Sequence, residues 1–338
     1  MKIQGQQITF EGRAEQENIS GTFTQNGQSF PFELKKGREN KKEKDENTVQ
    51  IKLKEGPMYG VLETPHTKGP FPVMILIAGS GPTDRDGNSP LLPGKNNSLK
   101  MLAENLAAHG IASIRYDKRG IGNNSRFLDK EENLQFEQYI DDAAAWIQFA
   151  KKDDRFLKVG IIGHSEGSLI GMAASAKEEV DTFISIAGAG RPIDQVLLEQ
   201  LSTQLPANLL AEAKDILEKL KQGNQVQTVS PELQSIFRPS VQPYMISWLK
   251  YDPTEQLKKL NCPILIINGD HDLQVQVTDA QALHATKKES QLLIIDKMNH
   301  ILKEAPENKE ENIATYSNPD LPLAEGLMDG IVTFLEQV

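Results

Sequence analysis

Unbroken apolar runs recur along this chain at Phe71–Ala78, Ile111–Tyr116, Lys158–Ile162, Phe183–Ala187, Pro263–Asn268 and Gln291–Ile295. Runs this short, each closed by polar or turn-forming residues, predict strands buried on both faces. The stretches between them change period. Ser98–Ala108 spaces its Leu and Ala residues as a helix does and stops at His109-Gly110, while Gln138–Lys151 and the small-residue stretch Ser168–Lys177 read as two further helices. Strands alternating with helices at this interval predict an α/β protein whose central sheet is mostly parallel and carries helices on both faces. Ahead of the first buried run, Thr48–Leu53 and Met58–Glu63 flank Glu55-Gly56-Pro57 and read as two antiparallel strands.

Two regions break this rhythm. Residues 1–35 carry short β-prone segments at Ile8–Glu11, Ile19–Thr24 and Ser29–Leu34, with Asn26-Gly27 between the last two. Asn-Gly between such runs signals a hairpin, so residues 1–35 are expected to form a β-hairpin extension too small for a core of its own. It is expected either to be the remnant of a larger β domain or to pack on the main body or on a second subunit, which leaves a homodimer open. Residues 36–47 are almost all charged or polar and read as a linker, so the main domain is expected at 48–338. Within that domain, about 70 residues separate the strand ending at Ala187 from the one starting at Pro263, far more than a crossover needs. Helical spacing at Leu209–Lys221 and an aromatic-rich stretch at Leu233–Tyr251 predict a helical cap insertion over 191–252. Its Phe237, Tyr244, Met245, Trp248 and Leu249 suit either a substrate pocket or the cap's own core.

Composition removes several classes of function. The chain has 338 residues, 37 Lys+Arg against 47 Asp+Glu and a formal net charge of −10, a balance opposed to binding a phosphate backbone. No apolar run approaches the roughly 18 residues that cross a bilayer, so no membrane partner is expected. Residues 1–20 contain no apolar signal core, which fits a cytoplasmic protein; an exported one whose signal has been removed is the alternative. The single Cys262 cannot form an internal disulfide. No P-loop and no Cys–His metal spacing occurs, so neither a cofactor nor a metal is expected.

The chemistry concentrates after the strands. Gly163-His164-Ser165-Glu166-Gly167 joins the buried strand ending at Ile162 to the helix starting near Ser168. A serine in a sharp strand-to-helix turn, flanked by glycines that keep side chains out of the neighbouring backbone, is the nucleophile elbow. The strand Pro263–Asn268 is followed by Asp270 and Asp272, and Gln291–Ile295 by Asn299-His300, giving the order Ser, acid, His. The residues alone leave both aspartates open as the acid. His271 reads as a solvated loop residue, His164 as a packing residue of the elbow, and His66, His109 and His284 as isolated. Asp84, Arg85 and Asp86 form either a substrate contact or a salt-linked loop, and Tyr116–Gly120 reads as a structural turn without a catalytic role.

Four segments together, ILIAGSGPTDRDGN (75–88), IASIRYDKRGIG (111–122), GHSEG (163–167) and CPILIINGDHDLQV (262–275) leading to MNH (298–300), resemble the α/β-hydrolase superfamily. The resemblance is to its bacterial serine esterases related to acetyl xylan esterases and to the hydrolase domains of dipeptidyl-peptidase-like enzymes. It implies the α/β-hydrolase fold. Its G-x-x-D pattern implies Asp272 as the acid, with Ser165 as nucleophile and His300 as base. It also implies an oxyanion hole made by the backbone N–H groups of Ser80 and Glu166. The expected function is hydrolysis of small-molecule carboxylic esters, short acyl or carbohydrate, through an acyl-enzyme. The alternatives are a peptidase or acylaminoacyl hydrolase, and a noncatalytic binding protein of the same fold. An intact triad speaks against the last, and a residue count too small for a propeller upstream speaks against the first.

Overall fold

The computed structural model describes residues 2–3, 8–15, 18–25, 28–35, 47–92 and 94–338. Two units divide the chain, Met1–Glu46 and Asn47–Val338. In the first, strands Lys2–Ile3, Ile8–Glu15, Asn18–Gln25 and Gln28–Lys35 form an antiparallel sheet in sequence order. The strands run longer than the apolar pattern marks. Cross-strand pairing extends over polar positions that carry no hydrophobic signal, as at Glu15↔Asn18. The expected Asn26-Gly27 turn lies outside the described residues, as does all of the charged linker but Asn47.

The second unit is built on eight strands, labelled here β1 (Thr48–Leu53), β2 (Gly56–Glu63), β3 (Phe71–Ile77), β4 (Ala112–Tyr116), β5 (Phe156–His164), β6 (Thr182–Ile186), β7 (Ile264–Gly269) and β8 (Gln291–Ile295). Their order across the sheet is β1-β2-β4-β3-β5-β6-β7-β8. The β1–β2 and β2–β4 pairs are antiparallel and the remaining pairs parallel. The order reverses around β3, so β5 lies beside β3 at the middle of the sheet. Ligand sites of open α/β sheets form at such a reversal, beyond the carboxyl ends of the strands.

Alternation along each strand divides the core in two. Val73, Ile75 and Ile77 of β3 face one side with Ile161 of β5, where α2 (Phe136–Lys151) and α3 (Glu166–Lys177) bury Ile140, Trp146, Ile147 and Ile170. Met74 and Leu76 face the other side with Ile162 and Ile184. There Leu99, Leu102 and Leu106 of α1 (Ser98–Ala108) pack near Leu327, Ile331 and Phe334 of the C-terminal helix Leu327–Glu336. Helix α2 begins two residues earlier than its periodicity suggests, because Gln138 Oε1 accepts from the Gln135 amide at 2.9 Å and closes the first turn. Between β6 and β7 the chain forms α4 (Ile193–Ser202), α5 (Ala207–Lys221) and, after shorter turns, α6 (Gln242–Trp248). These helices and the short turns between them carry a third apolar cluster centred on Ile216, Leu217, Leu220, Leu233 and Phe237.

Trp146 is fully buried, stacks on Tyr116 with ring centroids 5.5 Å apart, and leaves no room for a side chain at Gly60, where a Cβ would approach the indole to 2.9 Å. Trp146→Ala is expected to destabilise the protein by about 3–5 kcal/mol in urea unfolding. A loss below about 1 kcal/mol would contradict this packing.

Candidate active site

Ser165 lies between β5 and α3 with φ 55° and ψ −122°, a backbone conformation that costs a non-glycine residue about 1–3 kcal/mol. Its neighbours explain how the chain reaches it. A Cβ on Gly163 would sit 2.4 Å from the Gly167 carbonyl oxygen, and one on Gly167 would sit 2.2 Å from that of Ile77, so both positions need glycine. The Ser165 amide donates to Ile186 of β6 at 2.9 Å, tying the turn to the neighbouring strand end.

The structure brings His300 onto Asp272. His300 Nδ1–H donates to Asp272 Oδ2 at 2.8 Å, and both side chains are buried. The other carboxylate oxygen accepts from the amides of Gln274 (2.7 Å) and Val275 (3.0 Å), which fix its orientation. Asp270 instead accepts from the Lys297 amide at 2.6 Å and is exposed. Nδ1 bound to a carboxylate leaves Nε2 of His300 as the unprotonated nitrogen. His164 supports the same residue from the elbow side. Its Nε2–H donates to the His300 carbonyl at 2.7 Å, and the two rings lie 4.9 Å apart. His271, expected in solvent, is half-buried, and its Nδ1–H donates to Ala305 O at 2.5 Å.

Ser80 and Glu166 both border the cavity that Ser165 opens into, and among the described residues neither amide donates to a protein acceptor. The loop carrying Ser80 is salt-linked. Arg85 pairs with Asp117 at 3.4 Å, Asp86 with Arg115 at 3.1 Å, and Asp84 accepts from the amides of Asp86 and Asn88. Burial pushes the Asp84 carboxyl above its ordinary value, and the two amide bonds act against that.

Two residues not singled out from the sequence as site residues contact the Glu166 side chain. Lys118, within a turn read as purely structural, is buried and donates to Glu166 Oε2 at 2.8 Å and to the Gly79 carbonyl at 2.5 Å. Tyr244 of α6 donates to the other Glu166 oxygen. Burial beside that carboxylate pushes the Tyr244 hydroxyl well above its ordinary value, so it stays protonated. The one signal for Lys118 was its place just beyond the carboxyl end of a central strand. Nothing local marked Tyr244 as reaching the elbow.

The cavity holds about 740 Å³ and its walls are largely apolar, with Leu169, Val196, Ile236, Val241, Met245 and Trp248 among them. The aromatics of Leu233–Tyr251 therefore divide. Phe237 is in the third apolar cluster, while Tyr244 and Trp248 line the cavity. The charged groups on the walls are already paired. Arg119 binds Asp142 at 2.7 Å, Arg191 binds Asp279 at 2.7 Å, and Glu131 binds Arg238 and Ser240.

With this geometry in place, the comparisons define the class. The chain belongs to the Hydrolase_4 family, described as serine aminopeptidase, S33, whose model matches residues 95–306. It is 28% identical over 253 residues to the esterase EstD of Thermotoga maritima, an alignment covering 72% of this chain. The chain spans 57% of that relative's length. Among solved structures, Est1E from Butyrivibrio proteoclasticus superposes with a TM-score of 0.55 at 18% identity, covering 86% of this chain and 99% of that one. A thermophilic esterase from Thermogutta terrifontis gives 0.52 at 18% identity, with 86% and 98% covered. The fold is the α/β-hydrolase fold. Among the described residues no helix is long and apolar enough to cross a membrane.

Burial, reinforced by the neighbouring His300, lowers the His164 pKa from 6.5 to about 4. The unfolded chain therefore binds a proton that the folded chain refuses between those values, and stability falls as pH drops through that window. The cost approaches the order of 3 kcal/mol at about 1.36 kcal/mol per pH unit. Urea unfolding of wild type and His164→Gln at pH 7, 5 and 4 is expected to show a smaller acid-side loss in the variant. Equal losses would mean that His164 is not buried in its neutral form.

Proposed function

We propose that this protein is a metal-independent serine carboxylesterase acting on small-molecule esters, with Ser165, His300 and Asp272 as its triad. The observation that carries this reading is the strained Ser165 elbow at an apolar cavity, whose neighbour His164 binds the carbonyl of His300, a residue whose imidazole a buried carboxylate already orients. His300 Nε2 takes the Ser165 proton as Oγ attacks the ester carbonyl. The tetrahedral oxyanion is held by the amides of Ser80 and Glu166. Collapse breaks the C–O bond to the alcohol, and His300 returns its proton to the leaving alkoxide. Water, deprotonated by the same imidazole, then releases the acid from Ser165. Asp272 keeps the imidazole in the required tautomer and stabilises its cation.

The cavity walls refine the substrate class. At about 740 Å³ the cavity falls in the range of sites that hold drug-sized ligands, well beyond what an acetyl group fills. A neutral, apolar acyl group of medium length or an aromatic one is therefore favoured over acetyl, and the apolar walls give less support to a sugar. The family's description as aminopeptidases makes peptide hydrolysis the second candidate. A free amino terminus calls for an unpaired carboxylate, but the two carboxylates among the described cavity residues, Glu131 and Glu166, are both engaged by cations and hydroxyls. The ester reading stands ahead for that reason.

p-Nitrophenyl esters from acetyl to octanoyl are expected to be hydrolysed with a kcat/KM maximum beyond acetyl, and Ser165→Ala to lower kcat by at least about 10⁴-fold. Amino-acid p-nitroanilides cleaved faster than the matching esters would favour the peptidase, and activity surviving in Ser165→Ala would refute the nucleophile.

A further inference from the structure

We propose that Lys118 is the positioning residue of the oxyanion site, one buried ammonium that sets the direction of both donor amides. The proposal rests on the esterase reading above and adds to it a residue outside the triad and the two amides.

The ammonium of Lys118 sits where a charge is costly. The side chain is 2% exposed, and its partner Glu166 is 1% exposed at 2.8 Å. Tyr139 presents its ring face at 4.8 Å. Taking an ammonium and a carboxylate out of water costs several kcal/mol each, and a hydrophobic pair of the same volume is often as stable or more so. A buried pair at this location calls for a further reason, and its other contact supplies one.

Lys118 Nζ also donates to the carbonyl oxygen of Gly79. That carbonyl and the Ser80 N–H belong to one planar trans peptide, so they point to opposite edges. Holding the oxygen on Lys118 turns the Ser80 N–H away from Lys118. On another side the same glycine is pressed against the nucleophile. A Cβ on Gly79 would lie 3.2 Å from Ser165 Cβ and 3.3 Å from His164 Nδ1. A charge-assisted bond to a carbonyl also polarises the peptide and makes its N–H a stronger donor.

The second donor is reached through Glu166. Its amide is the first of α3, and its side chain is clamped between Lys118 and the Tyr244 hydroxyl. The same ammonium thus links the loop after β3, the start of α3 and the turn after β4, and Tyr244 brings the cap segment onto the same carboxylate. A purely structural ion pair would need only Glu166; the bond to the one carbonyl whose peptide carries the Ser80 amide gives Lys118 its positioning role.

The test compares wild type, Ser165→Ala, Lys118→Met and the double variant Lys118→Met/Glu166→Gln. Lys118→Met alone leaves a buried carboxylate without its cation and is expected to lower the unfolding midpoint strongly. The double variant removes both charges, keeps an acceptor for Tyr244, and is expected to fold. For a p-nitrophenyl ester, its kcat is expected to fall about 10²-fold with KM within about threefold, the signature of an interaction made in the transition state. Affinity for a trifluoromethyl ketone, which forms a tetrahedral adduct on the nucleophile, is expected to weaken by a similar factor. A folded double variant with kcat and ketone affinity within about threefold of wild type overturns the proposal while Ser165→Ala remains inactive. If Ser165→Ala itself hydrolyses the ester at the wild-type rate, the assignment of Ser165 as nucleophile falls and the role of Lys118 falls with it.

Discussion

The backbone of Ser165 is the constraint on which the rest of the body depends. A non-glycine residue at φ 55° and ψ −122° persists only where its surroundings over-determine it. Here the surroundings are the centre of the sheet and a helix buried all round, since Glu166–Ser175 of α3 are buried at every position. The turn is tight enough that the elbow glycines touch backbone on both sides, Gly163 against α3 and Gly167 against the end of β3. A helix this enclosed cannot carry a polar outer face, which accounts for its Gly, Ala and Ser content where most surface helices alternate. The strain is held in place by the packing of two apolar clusters against opposite faces of one sheet.

Around the elbow, the strand ends are joined by charges that are seldom found buried. Lys118–Glu166, Arg119–Asp142 and His300–Asp272 all lie beyond the carboxyl ends of central strands or on the helices facing them. Such pairs add little net stability, because desolvation offsets most of the Coulomb attraction. Each is selective about geometry, however, and a planar guanidinium or a carboxylate with both oxygens engaged permits few arrangements of the loops that carry it. The same consideration applies to the loop at Asp84–Asp86, whose ion pairs to Arg115 and Asp117 fix the approach to Ser80. The rigidity of these strand-end loops is thus built from polar contacts, and the apolar clusters beneath supply the stability that makes them affordable.

The cap segment adds a chemically different surface. Its own cluster around Phe237, Leu233 and Met245 makes it a packed unit, and Tyr244, Met245 and Trp248 are among the side chains it presents to the cavity. Tyr244 is amphipathic. Its ring packs among Phe136, Tyr139 and Trp248, while its hydroxyl reaches the Glu166 carboxylate. An apolar cavity whose charged groups are already neutralised favours neutral ligands, since an unpaired charge brought into it would find no partner.

Local pattern determined a great deal. The six apolar runs are strands, and their alternation with helical stretches implied a parallel sheet before any contact was known. The glycines around Ser165 announced an elbow because only glycine tolerates the close backbone approach at Gly163 and Gly167. The order Ser, Asp, His was visible because each follows a strand end, and strand ends are marked by the switch from apolar to polar residues. What the pattern could not determine was which of Asp270 and Asp272 meets His300 without the help of a family resemblance, since both follow the same strand and only the turn after it decides. Lys118 and Tyr244 were hidden for the same reason. Lys118 lies 48 residues from Glu166 and Tyr244 lies 78 from it, and no periodicity records a contact at such separations. Period and turn chemistry are local properties, written along the chain; the partner of a buried charge is chosen by which strand ends the sheet brings side by side, and that only tertiary structure decides.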